Sequence, residues 1–94
     1  MDVIYLPSAQ RDLVWFSEYY TLHFPQGGSR AASAFKNAEA LLGSQPYAGP
    51  ALEEPADLRV LRIPRTPFSL VYRVTPSRIE VLRVWDTRQQ PTTF

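Results

Sequence analysis

The chain has 94 residues, a formal net charge of +1 and no cysteine, and 45% of its residues are hydrophobic. This length fits one small domain, 1–94, and the composition is that of a globular chain rather than a disordered one. Disulfides, thiolate nucleophiles and cysteine-ligated zinc are excluded. Since His23 is the only histidine, a multi-histidine metal site is excluded too. We therefore expect no metal and no cofactor.

The distribution of charge is uneven along the chain. Residues 1–58 hold three basic and seven acidic side chains, whereas residues 59–94 hold seven basic and two acidic ones. A basic half can contact an acidic protein or a nucleic acid, although it can also be a set of solvated charges. The first residues lack the pattern of a secretory signal, and no apolar run is long enough to cross a membrane. We expect a cytoplasmic protein without membrane contact.

The first half of the chain predicts a strand followed by two helices. A short apolar run at 3–6 predicts the strand. Apolar residues then recur every three or four positions from Leu13 to Phe24, which predicts an amphipathic helix with Ser8 as its N-cap. A Pro/Gly-rich break at 25–28 ends it. A second helix is expected to begin at the cap residue Ser29 and to end at Gly43.

The second half changes to a period of two, which is typical of strands. Three strands are predicted, at 58–63, 68–74 and 79–85. The whole chain is predicted to be an α+β domain of order βααβββ, with a helix hairpin packed on one face of an antiparallel sheet. Turn positions suggest four cross-strand pairs: Arg62 with Ser69, Phe68 with Trp85, Val71 with Leu82, and Arg73 with Glu80.

This register leaves one sheet face without cover inside the chain. Phe68 and Trp85 are assigned to the core by the same alternation. The uncovered face combines aliphatic and arginine side chains, so it is a candidate docking surface. Its candidate binding residues are Val60, Arg62, Val71, Arg73, Leu82 and Val84.

Several segments, in their order and spacing, resemble the RelE/ParE superfamily of toxins from type II toxin–antitoxin systems. The opening Ala9-Gln10-Arg11-Asp12-Leu13 with Tyr19-Tyr20 is similar to the family's first helix. The later segments that carry the resemblance are Leu42 with Pro46 and Gly49, then 58–63, 67–74, 79–88 and Pro91. The resemblance covers nearly the whole chain and implies the same α+β fold.

The superfamily has two branches, and the resemblance implies different chemistry for each. Ribonuclease members cut messenger RNA on the ribosome with basic residues on the open sheet face, and here Arg62, Arg73 and Arg88 would fill those roles. Ser69, however, stands where that branch has an arginine, and no tyrosine or histidine follows Arg88. The closing segment with Asp86, Arg88 and Pro91 is closer to the ParE branch, whose members poison DNA gyrase.

We therefore interpret the chain as a ParE-like toxin that binds DNA gyrase through Asp86 and Arg88. A cognate antitoxin is expected to neutralise it by forming a hetero-oligomer, docking on the uncovered sheet face or alongside the helix hairpin. Two alternatives remain open at this stage. One is a metal-independent endoribonuclease that acts on messenger RNA at the ribosome, and the other is a non-toxic module that only binds an antitoxin.

Overall fold

The computed structural model describes residues 1–89 as two helices beside a four-stranded mixed sheet. In chain order the elements are β1 (Asp2–Tyr5), α1 (Pro7–Glu18), a π-helical turn (Tyr19–His23), a 3-10 turn (Pro25–Gly27), α2 (Gly28–Ser44), β2 (Arg59–Arg62), β3 (Phe68–Val74) and β4 (Arg78–Asp86). The predicted order βααβββ is confirmed. Among the residues described, no helix has the length and apolar character that crossing a membrane requires.

The strand order is β1-β4-β3-β2, and only β2, β3 and β4 form the predicted antiparallel meander. β1 lies parallel to β4, so the prediction of a wholly antiparallel sheet is wrong in this respect. The reason is that the N-terminal segment follows one edge of β4 in a single direction. β1 pairs with the first half of β4, and α1 continues along the second half of the same edge.

Three side chains of α1 attach the helix to that edge. Ser8 Oγ donates to the carbonyl of Leu82 at 2.6 Å, and Asp12 Oδ2 accepts from the backbone N–H of Val84 at 2.9 Å. Trp15 lies one turn further along the same stripe. Ser8 is therefore not the helix cap that the sequence predicts, because its hydroxyl is used on the sheet. The N-cap is Leu6, and a proline occupies the first helical position.

A β-bulge in β4 changes the register that the sequence suggests. The pairs Arg73–Glu80 and Arg62–Ser69 are confirmed. The ladder slips between Val71 and Tyr72, so that Leu82 has no direct partner. Beyond this point the observed pairs are Val71 with Arg83, Leu70 with Val84, Ser69 with Trp85, and Phe68 with Asp86. One extra residue reverses the face of every later side chain in β4.

The core lies between the helices and one face of the sheet. α2 starts one residue before Ser29, with Gly27 as its N-cap and no side-chain cap, and it continues through Gly43. Both predicted boundary roles of these residues are therefore wrong. The buried hydrophobic cluster comprises Ala9, Tyr20, Ala31, Ala38, Leu42, Ile63, Phe68, Leu70, Tyr72, Ile79, Val81 and Val84.

Candidate functional site

The end of β4 carries a fixed arginine. Arg88 lies two residues beyond the strand, and its guanidinium donates to Asp86 through Nε at 2.9 Å and Nη2 at 2.7 Å. The backbone N–H of Arg88 also donates to the same carboxylate at 3.0 Å. Asp86 is buried, whereas 48% of the Arg88 side chain is exposed. The structure thus presents a guanidinium to solvent from a buried anchor.

Aromatic side chains from α1 and the π-helical turn support this ion pair. Trp15 Nε1 donates to Asp86 Oδ2 at 3.3 Å, and the guanidinium carbon of Arg88 lies 4.4 Å from the centroid of the Tyr19 ring. The second contact is a cation–π interaction. We name Trp15, Tyr19, Asp86 and Arg88 the Arg88 cluster. The His23 ring borders it, 5.9 Å from Trp15 and 6.1 Å from Tyr19.

The electrostatics of the Arg88 cluster favour binding over proton transfer. Hydrogen bonds from Arg88 lower the pKa of Asp86 and outweigh the opposing effect of burial. The same bonds raise the pKa of Arg88. Neither group exchanges a proton near neutral pH, so the pair stays ionised. A guanidinium held in this way can donate charge-assisted hydrogen bonds to a carboxylate or phosphate.

The other two arginines of the predicted catalytic set lie elsewhere. Arg62 is exposed beside Ser69 on the sheet face away from the helices. Arg73 is on the same face, where its Nε donates to Glu80 at 2.7 Å. Arg73 lies four positions after Ser69 along β3, which places the two arginines roughly 13 Å apart along the strand. Arg88 packs on Tyr19 on the helical side of the sheet. The structure does not bring the three together.

Glu80 binds two arginines, which leaves Arg73 less available for a substrate. Arg78 donates to the second Glu80 oxygen through Nε at 2.9 Å and Nη2 at 2.7 Å. Hydrogen bonds from Arg73, and then from Arg78, lower the pKa of this carboxyl group. Glu80 therefore stays ionised, and the triplet stabilises the start of β4 instead of forming an open anion site.

The predicted antitoxin-binding face needs correction at two positions. Val84 is only 2% exposed and belongs to the core, because the bulge turns it towards the helices. Val71 is on the expected face, but it is 1% exposed and offers no accessible surface. Trp85, assigned to the core by the sequence, instead shares the Ser69 side of the sheet. The accessible members of the predicted set are Val60, Arg62, Arg73 and Leu82.

A groove that the sequence analysis missed runs between α2 and the end of β2. Its volume is about 1110 Å³, and small or aliphatic side chains line much of it. These include Ala31, Ala34, Ala38, Leu41 and Leu61. Three arginines also line the groove: Arg30, Arg65 and Arg62, the last of which ends the edge strand β2 and so borders both the groove and the Ser69 face. Within residues 1–89 none of these three makes an ion pair, in contrast to Arg73, Arg78, Arg83 and Arg88. We name this feature the three-arginine groove.

The backbone at Arg65 is strained. Its φ is 62°, in the left-handed region that a side chain with a Cβ disfavours. The adjacent Thr66 holds the turn, because its hydroxyl accepts from the N–H of Phe68 at 3.0 Å and donates to the carbonyl of Ile63 at 2.9 Å. Such strain persists where the surrounding structure fixes it, and it is common at binding sites.

No group of three or more histidine, cysteine, aspartate or glutamate side chains within 1–89 could hold a metal ion. Pro91, the last residue of the closing motif, lies outside the described residues. The candidate site therefore consists of two binding features, the Arg88 cluster and the three-arginine groove.

The fold is that of a small α+β toxin of the RelE/ParE type, and comparison with known proteins gives the family. A family model for the ParE toxin of the type II toxin–antitoxin system parDE matches residues 3–91. The chain belongs to this family, and the resemblance seen in the sequence is confirmed.

Solved structures agree with this assignment. The chain is similar to one from a chromosomal ParDE toxin–antitoxin system of P. aeruginosa, with 26% identity, a TM-score of 0.69, and coverage of 89% of this chain and 92% of that one. It also has the fold of a YoeB/ParE toxin from Agrobacterium tumefaciens, with 22% identity, a TM-score of 0.61, and coverage of 88% and 94%. No curated protein matched the chain.

Proposed function

We propose that this ParE-type toxin acts in the cytoplasm and inhibits growth by binding DNA gyrase through the Arg88 cluster, without cutting RNA. The observation that carries the proposal is that the three arginines do not converge on one point: Arg73 lies on the face away from the helices, Arg62 on the edge strand β2, and Arg88 beyond β4 against Tyr19. A fixed, half-exposed guanidinium suits recognition of a carboxylate on a protein target. The family membership supports a toxin, and the geometry supports binding as its mode of action.

A ribonuclease needs several groups around one phosphate. One must activate the 2′-hydroxyl, another must stabilise the charge that develops on the phosphate, and another must protonate the leaving oxygen. Here Arg73 is engaged by Glu80, and the serine at position 69 is buried between strands. Ion pairing lowers the pKa of Asp86 and raises that of Arg88, which makes the first a weak base and the second a weak acid at neutral pH.

Two assays with the purified chain separate binding from RNA cleavage. We expect the chain to inhibit supercoiling by DNA gyrase and to leave ribosome-bound messenger RNA intact. Arg88→Ala should lose the effect on gyrase. Arg11→Ala is the matched control, since Arg11 is exposed on α1 and forms no ion pair within 1–89. Cleavage of ribosome-bound RNA would favour the endoribonuclease alternative, and no effect in either assay would favour the non-toxic module.

The proposal includes neutralisation by an antitoxin that occupies the three-arginine groove. Small side chains on α2 let a second helix approach closely. Ala31 and Leu41, which both line the groove on α2, are ten residues apart, so this stretch is long enough for about three helical turns. The three unpaired guanidiniums favour carboxylates on the rim. We expect an acidic, amphipathic helix of the antitoxin, with a hetero-oligomer as the product.

Charge reversal in the groove tests this part of the proposal. Arg65→Glu should weaken the complex with the antitoxin encoded beside the toxin by at least tenfold in Kd, because it places like charges together. Arg11→Glu again serves as the control and should leave Kd within about twofold. Isothermal titration of the folded variants measures both. An unchanged Kd for Arg65→Glu would move the antitoxin to another face, where Val60 and Leu82 remain accessible.

A further inference from the structure

Asp86, which holds Arg88, is itself held by a side chain from a distant part of the sequence. Trp15 reaches Asp86 across 71 positions of the chain, and it is the member of α1 that follows Ser8 and Asp12 along the edge of β4. One Asp86 oxygen accepts from both Trp15 Nε1 and Arg88 Nη2. The orientation of the carboxylate, and hence of the guanidinium, is therefore set from α1 as well as from β4.

The helix geometry beside Arg88 is unusual. α1 does not end after Glu18 but continues as the π-helical turn Tyr19–His23, in which the N–H of Phe24 donates to the carbonyl of Tyr19 at 3.0 Å. π-helical turns are rare, and they occur frequently at functional sites. The His23 ring lies beside both Trp15 and Tyr19, so the three rings form a compact triangle, and Tyr19 is the member that contacts Arg88.

We infer that Trp15 and Tyr19 are positioning residues of the target-binding Arg88: Trp15 orients Asp86, and Tyr19 fixes the plane of the guanidinium. This inference rests on the proposed function, because it assigns these side chains to the same recognition event. Arg88 lies beyond the last strand, and its side chain is held there by Asp86 and Tyr19. Weakening either contact would let the side chain sample more rotamers, which binding would have to restrict again.

A purely structural role for the two rings makes a different prediction. Tyr19 also packs on Phe68, with ring centroids 5.8 Å apart, so a large truncation could simply loosen the core. Conservative changes avoid this problem. Trp15→Phe keeps an aromatic ring and removes the N–H donor. Tyr19→Leu keeps an apolar side chain and removes the π face, whereas Tyr19→Phe keeps the ring under the guanidinium.

The test is a double-mutant cycle. The quantity measured for each variant is the expression level of the toxin at which the growth rate falls to half. Trp15→Phe should raise that level about tenfold, as expected for losing a hydrogen bond to a charged group. Tyr19→Leu should raise it about two- to fivefold, the range for a partly exposed cation–π contact. Tyr19→Phe keeps the ring under the guanidinium and should raise the level less than Tyr19→Leu does. Kd for the antitoxin should remain within twofold throughout, which shows that each variant is folded.

The decisive arm repeats the changes in the Arg88→Ala chain. Positioning residues act through Arg88, so in its absence Trp15→Phe and Tyr19→Leu should add no further loss. To keep this arm measurable, residual binding to purified DNA gyrase is titrated alongside growth. Losses that add fully in the Arg88→Ala chain, or native toxicity of both single variants, would overturn the inference. A native chain that inhibits growth without binding gyrase would overturn the proposed target, while the growth effects of the single variants would still judge the inference.

Discussion

Replacing Asp86 by asparagine is predicted to destabilise the fold, since the carboxylate joins the end of β4 to α1. It accepts four hydrogen bonds, three from Arg88 and one from Trp15. An asparagine keeps one acceptor oxygen and turns a donor towards the guanidinium. Hydrogen bonds to charged groups contribute about 1.5–3 kcal/mol each, and solvent around the half-exposed Arg88 reduces this value. We expect a net loss of about 2 kcal/mol.

The assay is thermal unfolding followed by circular dichroism. For a domain of this size, about 2 kcal/mol corresponds to a fall in Tm of roughly 8–16 °C. Asp57→Asn makes the same chemical change at an exposed position and should alter stability by less than about 0.5 kcal/mol. This control separates the effect of the Asp86 contacts from that of the change in net charge.

The pH dependence gives an independent check on the same residue. Folding lowers the pKa of Asp86 below its ordinary value of 3.8, so its stabilising contribution is present above that pH. The contribution is lost as the pH falls through the lowered value. The difference in stability between native and Asp86→Asn chains should therefore shrink below about pH 4. Equal stability at neutral pH, or a difference that persists undiminished in strong acid, would refute this account of the anchor.

Three further predictions concern the turn, the groove and the complex. Thr66→Val should lower the free energy of unfolding by about 1–3 kcal/mol, because the buried N–H of Phe68 loses its acceptor. A denaturant titration measures this, and an unchanged value would show that another group accepts the N–H. Arg65→Gly should raise that free energy by up to about 1 kcal/mol, because glycine accepts the positive φ without strain. The same change should weaken antitoxin binding, and an equal Kd would argue against the groove as the antitoxin site. Antitoxin at a thousandfold excess over its Kd should stabilise the toxin by about 4 kcal/mol, and equal unfolding midpoints would contradict specific binding to the folded state.

Much of the fold follows from periodicity in the sequence. The alternation from Phe68 to Val74 places four apolar side chains on one face, and the structure keeps that strand at its predicted bounds. The bulge at Leu82 leaves no comparable signal, because an apolar residue is acceptable there in either register. Its consequence is the wrong assignment of Val84 and Trp85. The parallel position of β1 depends on how α1 follows β4, which short-range patterns do not encode.

The candidate site likewise has a part that the sequence predicts and a part that only the structure shows. Asp86 and Arg88 are two residues apart, so their pairing can be expected from sequence. The hydrogen bond from Trp15 cannot, since only the packed structure brings it to Asp86. The three-arginine groove is harder still to foresee. The sequence contains nine arginines and gives no sign of which of them are left without ion pairs. Only the structure distinguishes the arginines that bind acidic side chains from those that line the groove.

The measurement that tests the central claim most directly is growth inhibition by Arg88→Ala at an expression level equal to that of the native chain. We predict loss of inhibition, with the fold and the affinity for the antitoxin retained. Arg88→Lys should restore only part of the effect, because an ammonium cannot reproduce the planar fork. Full toxicity of Arg88→Ala would contradict the account and would move the effector site to Arg62 on β2 and Arg73 on β3.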